Sequence, residues 1–196
     1  MDLLHLLDEL QAVARTGLLY ATDPYDRERY TRLLDLAVEG YTEALSLPEP
    51  EIRQRLARDL GYVTAKVGAE AAIFNADDRI LLIQRSDDYC WGLVSGYVDA
   101  GESPAETIVR EVEEEIGLHA MILGLIDVFG RRASAMNGPH GTVGVLYLCS
   151  VAPGEPRVTH EVLDVRYWDI EAVDPWHKNH KDYALAALVY RRSHLS

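Results

Sequence analysis

The chain predicts an α/β protein in which a small all-helical domain, residues 1–62, precedes a domain of mixed strands and helices, residues 63–196. Three observations predict it. Up to residue 62 the apolar side chains recur at helical spacing, and no strand pattern interrupts them. From residue 63 short runs rich in Val, Ile, Leu and Tyr take over, separated by turn residues and by two helical stretches. Hydrophobic residues are 48% of the 196, ample for a packed core.

The helical half is read in order. Leu3, Leu6, Leu7, Leu10, Val13 and Ala14 form a stripe that Gly17 is expected to end. Thr22-Asp23-Pro24 reads as a turn. Asp26 is placed to cap a second helix carrying Tyr30, Leu33, Leu34, Ala37, Tyr41 and Leu45. Pro48 and Pro50 break the chain, and Ile52, Leu56 and Leu60 mark a third helix ending at Gly61. Three helices in about 60 residues are marginal alone, so this unit is expected to pack on something larger. Tyr20, Tyr25 and Tyr30 are read as core residues before a base-stacking wall.

The second half predicts strands over Lys66–Phe74 and Ile80–Arg85, joined by the turn Asn75-Ala76-Asp77-Asp78. A strand follows at Leu93–Val98, then a helix at Pro104–Ile116. Further strands are expected at Met121–Phe129, Val143–Val151 and Val165–Asp169, and a last helix at Lys181–Arg192.

The helix at 104–116 carries the chemistry. Ser103 is a good N-cap, Pro104 suits the first helical position, Glu106 completes a capping box, and Gly117 supplies the stop. Ala105, Ile108, Val109, Val112 and Ile116 fall on one apolar face. Glu111, Glu114 and Glu115, spaced i, i+3, i+4, form an acidic cluster. Such carboxylates repel one another, and two lie where the helix dipole also disfavours negative charge. A solvated charged face would tolerate that cost; bound cations would remove it. An oxygen-only donor set suits hard divalent ions such as Mg²⁺ and Mn²⁺. Arg110 lies four residues from both Glu106 and Glu114, placed to orient metal-binding carboxylates.

Residues 96–118, GYVDAGESPAETIVREVEEEIGL, fit G-x5-E-x7-R-E-U-x-E-E-x-G-U, with U aliphatic, at Gly96, Glu102, Arg110, Glu111, Val112, Glu114, Glu115, Gly117 and Leu118. This is the pattern of the Nudix box, and the chain resembles a Nudix hydrolase. The resemblance implies an α/β/α sandwich with a mixed sheet. It also implies Mg²⁺- or Mn²⁺-dependent hydrolysis of nucleoside diphosphates linked to another moiety. By the same resemblance Gly96 offers a backbone carbonyl near the metal, and Glu102 serves structure or a peripheral ion. The segment TGLLYATDPYDRERYTRL with YVTAKVGAEAAIFN resembles the helical extension of a two-domain Nudix branch. That branch includes CDP-choline pyrophosphatases and proteins described as ADP-ribose pyrophosphatases, and implies a homodimer. Val94-Ser95-Gly96 departs from the PGG of many members, which bears on the substrate more than on the chemistry.

Several residues outside the box are candidates. Glu161, just before a strand, is read as a distal metal ligand or general base, against a plain loop carboxylate; Asp164 is the weaker alternative. Arg131, Arg132 and Lys66 are candidate substrate contacts, against solvated cations. His177-x2-His180 has a metal-like spacing but no third soft ligand nearby. Trp91 and Trp168 are read as core.

A net charge of −13 argues against a broad grip on nucleic acid or anionic membrane, leaving a small-molecule substrate. Cys90 and Cys149 are too few for a disulfide framework and are read as small buried hydrophobes in a reducing, cytoplasmic protein. No positive n-region precedes the apolar MDLLHLL, and no uncharged apolar run approaches 18 residues. The expected products are a nucleoside monophosphate and a phosphorylated partner from a CDP-choline or ADP-ribose type substrate. Triphosphate pyrophosphohydrolysis and a non-catalytic nucleotide sensor are the competing readings; the second would predict an eroded box.

Overall fold

The computed structural model describes residues 3–57, 64–99, 101–132, 134, 141–159 and 161–194. Its chain divides into two compact units: residues 1–66 with 130–142, and residues 67–129 with 143–196.

In the first unit, α1 (Leu3–Tyr20) packs against α2 (Pro24–Leu45), and α3 (Glu49–Ala57) packs on both. Leu7, Ala37, Val38, Tyr41, Leu45, Ile52 and Leu56 form its core. Gly17 does not end α1, as its position suggested, but lies inside it. A Cβ at Gly17 would sit 2.4 Å from the Tyr30 ring, and one at Gly40 would sit 2.4 Å from Leu7, so both glycines let α1 and α2 approach closely. The cap of α2 also moves. Asp23, not Asp26, is the N-cap; its carboxylate accepts from the Tyr25 and Asp26 amides at 2.7 and 3.2 Å, with Pro24 leading the first turn. Asp26 is thereby a first-turn acid. Tyr41 is buried with its hydroxyl donating to Asp8. Tyr20 and Tyr25 are largely exposed rather than core, whereas Tyr30 lies on Gly17. Leu60 and Gly61, the expected end of the third helix, lie outside the described residues, as does the 62/63 boundary.

The rest runs β1 (Lys66–Ile73), β2 (Ile80–Arg85), β3 (Trp91–Gly92), β4 (Val94–Tyr97), α4 (Pro104–Ile116), β5 (Ala120–Arg131), β6 (Thr142–Val151), β7 (Val162–Trp168), a 3₁₀ turn (Ile170–Ala172) and α5 (His180–His194). One sheet has the order β4-β1-β6-β5, the other β3-β2-β7. Successive side chains of a strand point to opposite faces, and here both faces are covered. Ala69, Ala71 and Ile73 of β1 with Leu81 and Ile83 of β2 pack under α4 through Ile108, Val112 and Ile116. Ala72, Ile80 and Leu82 pack on the other side with Ala184 and Ala187 of α5. The expected α/β/α sandwich is what forms.

The strand expected at Leu93–Val98 forms as β4, Val94–Tyr97, and the two-residue β3, Trp91–Gly92, precedes it in the other sheet. β3 pairs with β2, and β4 pairs with β1, with Gly96 opposite Ala69. The chain crosses from one sheet to the other at Leu93, which is fully buried. Its N–H, outside both ladders, donates to His180 Nδ1 at 2.9 Å. β7 begins three residues earlier than expected because Val162 is buried opposite Arg85. Cys149 is buried in the core, where its thiol is pushed up to about 12, but Cys90 is only half-buried, in the turn before β3. Trp91 is buried, and Trp168 packs edge-on against it, 5.0 Å between centroids. Among the described residues no helix is long and apolar enough to cross a membrane.

Candidate active site

α4 spans the predicted Pro104–Ile116. Ser103 Oγ accepts from the Glu106 amide at 3.2 Å, and Glu106 Oε2 accepts from the Ser103 amide at 2.8 Å. Gly117, at φ +68°, closes the other end in the left-handed conformation. Burial of Ile108, Val112 and Ile116 fixes the rotation of the helix, and that rotation turns Glu111 and Glu115 toward β4.

Glu115 is the unusual group. It is 7% exposed, the Ser95 backbone N–H donates to its carboxylate, and its Oε2 has no hydrogen-bond partner among the described residues. Burial, and then the neighbouring Glu111 carboxylate, push its pKa up to about 8; Arg85 partly opposes them. Glu111 is raised too, by burial first, with Glu114 and Glu161 adding repulsion against the Arg110 hydrogen bond. Gly96 makes room for this arrangement: a Cβ there would lie 1.9 Å from Glu111 Oε1 and 2.1 Å from Cδ.

Arg110 organises the outer side. Its Nε and Nη2 donate to the two oxygens of Glu102 at 2.9 and 3.0 Å, and Nη1 donates to Glu111 Oε1 at 2.8 Å and Glu114 Oε2 at 3.0 Å. The expected partner Glu106 is taken by the capping box. Glu102, held by Arg110 first and by the Thr107 hydroxyl second, drops to about 2. It therefore ties the loop before α4 to the helix. Glu114 is 60% exposed and meets Arg110 from outside. Among the described residues no three carboxylate, imidazole or thiol side chains close into a formed metal cage.

Glu161, just before β7, is close enough to raise both Glu111 and Glu115, and its carbonyl accepts the Ser86 amide at 3.0 Å. Asp164 is instead ion-paired with Arg166. Arg85 was not visible as a site residue in the sequence. It ends β2 and grips Asp87 with two hydrogen bonds, at 2.9 and 2.8 Å, while its charge acts on Glu115. Only the pairing of β2 with β7 brings it beside Glu161. Lys66, Arg131 and Arg132 belong to the other compact unit; Lys66 opens β1, Arg131 closes β5, and Arg132 follows exposed. Of the two histidines at metal-like spacing, His177 Nδ1 meets Asp88 at 2.5 Å, and His180 Nδ1 accepts from Leu93.

Residues 64–188, more than half of the chain, match the family described as the NUDIX domain. The chain belongs to the Nudix family. Residues 1–54 match a second description, a UDP-X-like, N-terminal oligomerisation domain. A Bacillus subtilis protein named "Putative ADP-ribose pyrophosphatase YjhB" is 28% identical over 169 residues, which cover 85% of this chain and 80% of that protein. The crystal structure of a UDP-X diphosphatase superposes with a TM-score of 0.60 at 26% identity, over 98% of this chain and 95% of that one. An ADP-ribose pyrophosphatase from Streptococcus suis gives a TM-score of 0.57 at 28% identity, over 67% of this chain and 95% of its own. With the family and the intact box together, this Nudix protein is a hydrolase of acid anhydrides.

Proposed function

We propose that this Nudix hydrolase cleaves the pyrophosphate bond of a nucleoside diphosphate derivative, of ADP-ribose or CDP-choline type, in an Mg²⁺- or Mn²⁺-dependent reaction. The products are a nucleoside monophosphate and a phosphorylated moiety. The observation that carries this reading is Glu115. A buried carboxylate with an orphaned oxygen, pressed against a second carboxylate, is a binding site for positive charge. The surrounding donors are all oxygen, which suits a hard divalent cation.

Glu111, Glu115 and Glu114, with the Gly96 carbonyl, would hold the ions. When bound, they supply charge neutralisation on the phosphate oxygens and acidify water. The chain's own residues do the rest. Arg110 holds Glu111 and Glu114 in place and ties them through Glu102 to the preceding loop. Glu161, within electrostatic reach of both inner glutamates, takes the proton from the attacking water. Glu114 and Glu115 are the alternative proton acceptors inside the box. Lys66, Arg131 and Arg132 are assigned to the substrate's phosphate or base, and the working division of the chain is 1–62 and 63–196. The relatives' names support the substrate class, with a UDP-linked derivative as a further member to test.

The test is a panel of ADP-ribose, CDP-choline, a UDP-sugar and dGTP with Mg²⁺, read by phosphate release after phosphatase coupling. Turnover of a diphosphate derivative ahead of dGTP is expected; preference for dGTP would overturn the class. In H₂¹⁸O the label should enter a phosphate-bearing product. Label in neither phosphate would rule out attack at phosphorus.

The helical unit supports a homodimer. It matches an oligomerisation domain, and Leu3, Leu6, Val13, Leu19 and Leu36 are exposed on α1 and α2. Light scattering at tens of micromolar should give twice the chain mass, and the double variant Leu6→Asp, Val13→Asp should give one chain mass with the fold retained. A monomeric wild type would remove the assignment.

A further inference from the structure

We propose that His180, with the segment Pro175–His180, is a positioning device for the acidic site, acting through the crossing point at Leu93; the proposal rests on the reading of Glu111 and Glu115 as metal ligands. Three hydrogen bonds join this segment to β3 and the residue after it. Trp91 N–H donates to the Pro175 carbonyl at 2.9 Å, His177 N–H donates to the Trp91 carbonyl at 2.8 Å, and Leu93 N–H donates to His180 Nδ1 at 2.9 Å. His180 is 3% exposed, and the last of these bonds spans 87 residues. Because Nδ1 accepts, the ring is neutral with its proton on Nε2.

Packing makes the contact specific. A Cβ at Gly92 would lie 3.0 Å from His180 Nδ1 and 3.4 Å from His177 Cβ, so the strand runs directly against the His180 ring and the base of the His177 side chain. The rings meet edge to face at 4.9 Å, and His177 is held from the other side by Asp88, in the turn between β2 and β3. The chain is therefore held at Trp91, Gly92 and Leu93, up to its crossing from one sheet to the other.

What lies immediately beyond is the site. Ser95, two residues on, gives its N–H to Glu115, and Gly96 lies against Glu111. β1 sets the register of β4, and a side chain that fixes the crossing fixes the position of Leu93, from which the chain enters β4, two residues before Ser95 and three before Gly96. No ladder bond holds Leu93, so an apolar residue at 180 would leave its N–H buried and unpaired, and the crossing would shift to relieve it. Residues that orient ligands without touching the ion typically change metal affinity or activity ~10–100-fold when lost.

The experiment titrates Mn²⁺ into the full-length protein without substrate, by calorimetry or water-proton relaxation, for wild type, His180→Leu, His180→Asn, Leu146→Ala and Glu115→Gln. Asparagine carries an acceptor near the place of Nδ1. Leu146 is buried on the same side of the sheet as α5 and reports a general loss of stability. His180→Leu should weaken Mn²⁺ binding ~10-fold or more and lower kcat more than it raises KM. His180→Asn should recover most of both. Leu146→Ala should keep wild-type Mn²⁺ affinity despite a lower melting temperature. Wild-type Mn²⁺ affinity in His180→Leu, with loss in Glu115→Gln, overturns the proposal alone. Equal weakening in Leu146→Ala also overturns it, because the effect is then one of stability. Wild-type affinity in Glu115→Gln overturns the ligand assignment and the proposal with it. Should His180→Leu fail to fold, His180→Gln takes its place: its acceptor sits beyond Nδ1, and unchanged Mn²⁺ affinity there overturns the proposal in the same way.

Discussion

Glu115→Gln should lower turnover at least ~100-fold at saturating Mg²⁺, while the metal-free protein becomes more stable near pH 8. The two halves have one cause. Glutamine keeps the shape and the hydrogen bond from Ser95 but cannot ionise. In the unfolded chain a glutamate titrates near 4.3, whereas here the folded group is pushed up to about 8. At low pH both states hold the proton, and the group costs nothing. As pH rises between these values the unfolded state ionises first, so stability is progressively lost. Glutamine removes that loss. The gain in melting temperature over wild type should therefore be largest at pH 8 and shrink toward pH 4.5, and saturating Mg²⁺ should reverse the order. An active Glu115→Gln enzyme, or a stability difference that does not depend on pH, would remove Glu115 from the centre of the site.

Gly96→Ala is expected to separate folding from activity. The added methyl meets the far end of a flexible side chain, the Glu111 carboxyl, and not the backbone. Glu111 can swing aside, so the melting temperature should fall only slightly, a cost of order 1 kcal/mol. The displaced carboxylate no longer faces β4 beside Glu115. Turnover should fall ~10–100-fold, with the Mg²⁺ concentration for half-maximal rate raised. Thermal melts and Mg²⁺ titrations of the same preparation give both readings. Equal losses of stability and activity would show that the glycine serves the strand and not the ligand.

The helix bearing the acidic cluster was legible residue by residue, because capping, amphipathic spacing and a glycine stop are local signals. Ser103, Glu106 and Gly117 do what their types predict. What was not legible came from long-range pairing. Nothing in ILLIQR marks Arg85 as a site residue; the antiparallel pairing of β2 with β7 sets it opposite Val162, next to Glu161, and its charge acts on Glu115. β3 was hidden for the same reason, since Trp91-Gly92 is too short to show a period and only its pairing with β2 makes it a strand. Gly17 misled because a glycine that ends a helix and one that admits an aromatic ring look alike in sequence. Asp23 was passed over for Asp26 because both stand where a cap is expected, and Pro24 decides between them by taking the first turn.

The closed capping box has a further consequence for how a polyanion is received. The positive end of a helix commonly serves as a ready cradle for phosphate, through free amides pointing along the axis. In α4 that end is already occupied by the Ser103 hydroxyl and the Glu106 carboxylate. A diphosphate bound at the proposed site would therefore meet the acidic flank of this helix and not its capped end. Attraction has to be imported, by ions that arrive separately or by arginines on other strands. On the proposed reading, turnover without a divalent ion should be far slower than with it, because the acidic flank would then meet a polyanion with its charge uncompensated.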